Sequence, residues 1–276
     1  MDQNWIAENL NNAFGTWNEK LAELWTLAAT SPENFKGGAV WGIMQNIHGA
    51  LLAVGYALLI LFFAMSLCKN TANFHELKRP EAALHYLIRF VAAKTLVEYG
   101  MEIMLKVFEV CNGIVRTVAS GMGGISQAMV SLPGEIQTEI ENVGFLASIP
   151  LWLVTILGSL FITVLSFVMI LTVYSRFFRL YMYTALAPIP LATFAGESTQ
   201  SVGIAFLKTY VGVCLEGAVI VLACIIYSGF ISTPTVTSGT ATTIVWAYLA
   251  ETVFNMLVLV GLIKGADHIL HEMMGL

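Results

Sequence analysis

Charge is scarce in this chain. Only 11% of its residues are Asp, Glu, Lys or Arg, where an ordinary soluble domain carries roughly a quarter. With 57% hydrophobic residues and a mean hydropathy of +0.77, the composition excludes a soluble globular protein and points to a bilayer. Signatures of chemistry are missing as well. No GxxxxGK[ST] phosphate loop, no HExxH and no GxSxG occurs, so no enzyme of those kinds is expected. Cys68, Cys111, Cys214 and Cys224 lack CxxC spacing and lie in or beside apolar runs, which reads as packed free thiols rather than a metal or redox centre. His268 and His271, with Asp267 and Glu272, stand one helical turn apart, but two ligands do not close a metal site, and a solvated tail is expected there. No cofactor and no metal are expected. The first forty-odd residues lack the basic, then unbroken apolar, pattern of a secretory signal, since Asp2, Glu8, Glu19 and Glu23 interrupt it. The N-terminus is therefore expected to be kept. No internal repeat is visible.

What the chain does have is long apolar runs with charges at their ends. Before the first run, Ile6, Leu10, Phe14, Trp17, Leu21, Leu24 and Ala28 recur at steps of three and four, the spacing of one helix face. Trp5, Trp17 and Trp25 suit a lipid interface; a helix packed on another part of the same protein fits the periodicity equally well. Residues 1–45 are read as this amphipathic region and 46–276 as a transmembrane helical domain. No charge occurs between Gly37 and Cys68, and the first crossing is placed near 46–68. Gly49, Ala53 and Ala57 form a small-residue stripe on it. Lys69, Lys78 and Arg79 follow at once, a loop that the positive-inside rule puts in the cytoplasm, with the N-terminus outside.

Residues 82–119 are helical in pattern yet both apolar and charged. Lys94, Glu98, Glu102, Lys106, Glu109 and Arg116 fall within about a third of the helix circumference. Either this is a spanning helix whose charges line a bundle interior or subunit seam, or it is an amphipathic helix at the cytoplasmic interface. The flanks favour a crossing. Segment 120–142 is acidic without Lys or Arg, and the next apolar run, 145–175, ends at Arg176 and Arg179. Further crossings are expected near 209–231 and 243–263, joined by an uncharged Ser/Thr-rich turn and flanked by Lys208 and Lys264, which leaves the C-terminus in the cytoplasm.

The fold class is thus all-α: a polytopic helical membrane protein of about five transmembrane helices, plus one broken segment at 176–200. That segment contains TALAPIPLATFAGEST (184–199). Its two prolines each remove a backbone donor that lipid cannot replace, so a re-entrant or interfacial course beside the path of a cargo is expected, or a short proline-kinked crossing if 82–119 lies at the interface. Nearby, YSRFFRLYMY interleaves Arg176 and Arg179 with aromatics. An inner membrane belt is the favoured reading, over direct contact with single-stranded DNA, because net charge is −5 and no wider basic surface accompanies the cluster. Glu216 and Asn255 lie at one depth measured from Lys208 and Lys264, so Glu216 is expected either to pair with the Asn255 amide or to face a water-filled path and meet cargo or another subunit. Candidate path or assembly residues are therefore Lys94, Glu98, Glu102, Lys106, Arg176, Arg179, Pro188, Pro190, Glu197, Glu216 and Asn255.

These residues also carry a resemblance. RFFRLYMYTALAPIPLATFAGESTQSVGIAFLKTYVGVCLEGAVIVL (176–222) and one further apolar helix resemble the core of TrbL-like polytopic membrane subunits of type IV secretion and conjugation systems. With HELKRPEAALHYLIRFVAAKTLVEYG (75–100), the whole chain is similar to the short form found in conjugative elements of Gram-positive bacteria. The resemblance implies a channel or scaffold subunit that helps pass a DNA–protein cargo through the envelope. It implies other secretion subunits as partners, ATPases and a coupling protein among them, and a single-stranded DNA–relaxase cargo. The charged stripe adds the expectation of a homo-oligomer, or of a heteromeric complex, that covers it. The alternative class is a secondary transporter or small channel for ions or solutes, suggested by Glu98, Glu102, Glu216 and Glu251 at membrane depth.

Overall fold

A computed structural model describes residues 4–71, 80–120, 129–141, 143, 145–230 and 240–275. The expected loop charges Lys78 and Arg79, the glycine-rich stretch 121–128 and most of the Ser/Thr-rich turn lie outside these residues. Every regular element among the described residues is helical. The elements are α1 (Asn4–Ala28), a 3-10 turn (Pro32–Gly38), α2 (Ala39–Thr71), α3 (Pro80–Glu98), α4 (Gly100–Ser120), α5 (Gly134–Glu141), α6 (Phe145–Leu186), α7 (Pro188–Ala192), a second 3-10 turn (Thr193–Ala195), α8 (Gln200–Phe230) and α9 (Ala241–Met274). Among the described residues, four segments are long and apolar enough to cross a membrane: Pro32–Lys69, Ile149–Leu186, Gln200–Gly229 and Ala241–Met274. The protein is an all-α polytopic membrane protein.

The chain groups into two compact units, neither contiguous in sequence. The first contains Met1–Ala29, Val115–Ser175 and Gly217–Ala266. Here the apolar face read for α1 is covered by protein: Ile6, Leu10, Phe14, Trp17, Leu21, Leu24 and Ala28 are all 4% exposed or less. Trp5 meets Trp152 at 6.0 Å between ring centroids, and Phe14 sits edge-on to Tyr248 at 6.3 Å. Polar groups close the seam. Asn9 donates to Ser159 Oγ at 2.9 Å, Tyr174 donates to Glu23 at 2.6 Å, and Asn18 exchanges two bonds with the Val130 backbone. The lipid-facing reading of this helix face gives way to the packed one, because aromatic and amide partners on the rest of the unit satisfy it.

The second unit contains Thr30–Ile114, Arg176–Glu216 and Asp267–Leu276. Its entrance is a tight turn in which Lys36, Gly37 and Gly38 all have positive φ. A Cβ on Gly38 would stand 2.8 Å from the Glu33 carbonyl, so only glycine fits. Phe35 stacks on Phe177 at 4.0 Å and the Tyr181 hydroxyl donates to the Pro32 carbonyl at 2.8 Å, which pins the turn to α6. α7 packs on α2 and α3.

Two expectations about continuity change. Residues 82–119 form two helices, parted at Tyr99, and neither is among the four apolar enough to span. Hydrogen bonds from Tyr99 to Thr95 and from Ile103 to Tyr99 keep the helical spacing across the joint, so the break is local. It falls where the chain comes close: a Cβ on buried Gly100 would meet Leu191 at 2.9 Å. On α4 the apolar face Met104, Phe108, Cys111 and Val115 is buried. The charged stripe faces outward, with Lys94 3.7 Å from Glu98, Lys106 2.8 Å from Glu109, and Glu102 and Arg116 exposed. The broken segment is also shorter than expected. α6 continues through both arginines to Leu186, and only 187–199 departs from a long helix.

Candidate functional site

α2 shows one buried stripe to the second unit: His48, Gly55, Leu59 and Ser66 are buried, at steps of seven, four and seven. That is the seam of a helix laid along a neighbour. The neighbour is the proline-broken segment. His48 meets Thr184, Gly55 meets Pro188, and Phe62 meets Gly196. Contacts rise together in both numbers, so the two segments run parallel over about 20 Å of α2 between His48 and Phe62. At Gly55 the approach is closest, because a Cβ there would lie 2.9 Å from Pro188 Cβ and 3.0 Å from its carbonyl oxygen.

The prolines raise a local problem that this seam solves. Pro188 lacks the N–H that would have bonded the Thr184 carbonyl four residues back. Ala187 keeps right-handed helical angles (φ −50°, ψ −37°), so the helical course continues through the residue before the proline. Instead His48 Nδ1 stands 2.8 Å from the Thr184 oxygen. A carbonyl only accepts, so Nδ1 is the donating nitrogen. His48 is 4% exposed, and its other nitrogen, Nε2, has no partner. At the far end, Arg89 Nε donates to the Phe194 carbonyl at 3.1 Å and its Nη2 donates to Gln200, closing the turn that follows. The Thr199 hydroxyl donates to the Thr193 carbonyl at 2.8 Å.

A second cluster in the same unit gathers the arginines. Arg176 is fully buried and donates to the Val213 and Cys214 carbonyls at 3.2 and 3.0 Å, with its guanidinium 5.8 and 5.9 Å from the Phe108 and Phe177 ring centroids. Arg179 makes a two-pronged bond to Glu216, at 2.7 and 2.6 Å, and pairs with Asp267 through its other terminal nitrogen. Glu216 is 1% exposed. Beside them, the Tyr210 hydroxyl donates to the Met104 carbonyl at 2.9 Å. This is internal neutralisation of charge in an apolar setting. It ties α6 to α8 and to the end of α9.

Several sequence assignments are corrected by this geometry. Arg176 is not part of an exposed belt and cannot touch nucleic acid from its buried position. Glu216 binds Arg179 through both of its oxygens, a partner that depth along the membrane did not indicate; Asn255 is 9% exposed and belongs to the first unit. Pro188 is buried and Pro190 half-buried at the α2 seam, while Glu197 is exposed beyond it. Lys94, Glu98, Glu102 and Lys106 stay on the outer face of α3 and α4. His268 pairs with Glu272 at 3.5 Å and His271 with Asp267 at 3.7 Å, and no group of three metal-ligand side chains occurs among the described residues. Sequence reasoning missed His48, Asp267 as a salt-bridge partner, and Ser66. A lone histidine inside the uncharged run 37–68 was the available signal for the first.

A family model described as TrbL/VirB6 plasmid conjugal transfer like protein matches residues 17–188, well over half of the chain. The chain belongs to that family. No curated protein and no solved structure matches it. As a TrbL/VirB6-like protein it is a membrane component of conjugal transfer, within type IV secretion. The matched region of this TrbL/VirB6-like chain includes 75–100 but reaches only Pro188 in the stretch 176–222. It holds His48, Arg176 and Arg179, whereas Glu216 and Asp267 lie beyond it.

Proposed function

We propose that this TrbL/VirB6-like chain is a channel or scaffold subunit of a conjugative type IV secretion machine, and that it helps a DNA–protein cargo cross the cell membrane. It does so without catalysis of its own, drawing energy from partner ATPases and a coupling protein. The observation that carries the reading is the proline-broken segment seated along α2 inside a chain of this family. A helix interrupted at membrane depth, with its freed carbonyl capped by a side chain, is the kind of backbone that lines cargo paths in transport proteins. The outward stripe of Lys94, Glu98, Glu102 and Lys106 then faces other subunits or other copies of this chain. The transporter alternative loses the support of Glu216, whose carboxylate is committed to Arg179.

In a strain lacking this gene, complementation with the wild-type chain should restore conjugative transfer. Pro188→Ala with Pro190→Ala should cut transfer by at least tenfold at near-normal protein level, and Glu98→Leu with Glu102→Leu should lower transfer together with recovery of the assembled complex. Unchanged transfer with the proline pair removed would overturn the path reading. The orientation proposed with it has the N-terminus outside and the C-terminus cytoplasmic. Single cysteines at residues 75 and 238, in a cysteine-free background, should then react with impermeant reagent from opposite sides; reaction from one side refutes it.

A further inference from the structure

Within the second unit, Arg179 finds its counter-charge in Glu216 and Asp267. Arg89 does not. Its Nε donates to the Phe194 carbonyl and its Nη2 to the Gln200 side-chain oxygen, both neutral acceptors, and Nη1 has no partner among the described residues. A guanidinium carries five N–H donors in a fixed fork, so donors remain after both bonds are made. Arg89 lines a cavity of about 320 Å³, where a single water needs only about 10–15 Å³. His85, one helical turn before Arg89, and Gln200, bonded to it, line the same cavity.

The other described lining residues are apolar. Ile88, Ala92 and Leu96 follow at steps of four on α3, a ridge roughly 12 Å long. Its direction is set by α2. Phe90 packs on Phe63 at 4.7 Å between ring centroids, and a Cβ on Gly55 would stand 3.2 Å from Val97. α3 therefore descends from the Lys69 end of the span Pro32–Lys69 toward its uncharged middle. Gln200, on the opposite wall, is the first residue of the span Gln200–Gly229. The donors thus sit near the ends of two spans and the ridge leads inward, as a headgroup and the chain beneath it do. We propose that this cavity binds a phospholipid of net negative headgroup charge. Its phosphate accepts from Arg89, with His85 and the Gln200 amide as further donors, and one acyl chain lies on Ile88, Ala92 and Leu96. A zwitterionic headgroup brings a second cation beside Arg89 and leaves the guanidinium unmatched. The anionic lipid supplies the charge that Glu216 and Asp267 supply to Arg179, and it fastens the arginine that closes the turn after α7.

The purified full-length protein in detergent, offered phosphatidylglycerol, phosphatidylethanolamine and phosphatidylcholine of identical acyl chains, reports this by native mass spectrometry. Retention of phosphatidylglycerol should exceed that of either zwitterionic lipid by about tenfold. Arg89→Gln should erase most of that preference. Because Arg89 also holds the Phe194 carbonyl, a second variant leaves both of its bonds in place: Ala92→Trp, at an exposed position on the ridge, fills the acyl track and should cut phosphatidylglycerol retention several-fold at unchanged helical content. Lys106→Gln, which removes an exposed cation on α4, should leave the preference intact. Equal retention of the three lipids, a preference for a zwitterionic one, or wild-type retention by Ala92→Trp would overturn the proposal. Soluble glycerol phosphate at the same concentration should not displace the lipid; displacement would overturn the lipid assignment in favour of a free phosphate ester.

Discussion

Replacing Glu216 with leucine should destabilise the protein by about 3–5 kcal/mol, the range for removing one partner of a buried ion pair. Glu216 is 1% exposed and Arg179 is 24% exposed at its side chain, so solvent screens the pair little. Without the carboxylate, Arg179 keeps the ion pair to Asp267, which is 43% exposed, and the buried Arg176 loses the favourable field of Glu216. The melting temperature in detergent should fall on the order of 10 °C. Glu216→Gln keeps the shape and one acceptor and should cost less. The informative variant is the double one. Glu216→Leu with Arg179→Met removes both charges and should recover much of the loss, because a well-packed apolar pair often matches a buried ion pair in stability. A Glu216→Leu protein that melts with the wild type would mean that the cluster contributes nothing. A double variant no better than Glu216→Leu would mean that the loss comes from packing.

How far the sequence foretold this molecule differs from place to place, and the differences have physical reasons. The buried face of α1 was legible because seven apolar side chains repeat at helical spacing, yet periodicity alone left open whether lipid or protein covers them. Apolar length located the four long helices that could cross a membrane among the described residues, but not the end of α6. Arg176 and Arg179 looked like a terminus because arginine at a membrane edge is common. Here each arginine is satisfied inside, by carbonyls of α8 in one case and by Glu216 and Asp267 in the other, so the helix runs on to Leu186. Depth counting brought Glu216 and Asn255 to one level, but depth fixes no azimuth and did not point to Arg179, which binds both carboxylate oxygens. The division of 82–119 at Tyr99 falls beside Gly100, whose close neighbour Leu191 is far away in sequence. The proline pair was visible as a loss of donors. What replaces a donor was not, because its partner is a backbone carbonyl that no residue pattern announces.

That replacement gives the sharpest test. His48→Phe keeps a ring of similar size on α2 but leaves the Thr184 carbonyl without the bond it accepts at 2.8 Å. An unsatisfied buried carbonyl costs roughly 1–3 kcal/mol, and the variant should lose stability by that amount. Pro188→Ala alone should alter stability in two opposed ways, restoring a backbone N–H within reach of Thr184 while losing the ring that packs on Gly55. In the double variant the new N–H of residue 188 can take the Thr184 carbonyl, so His48→Phe should then cost almost nothing. The expected coupling between two residues 140 positions apart is therefore about 1–2 kcal/mol, well above the few tenths seen for independent sites. Thermal unfolding of the four proteins in one detergent measures it. Strictly additive effects would show that His48 is held there by packing alone and that the carbonyl freed by Pro188 is satisfied in some other way.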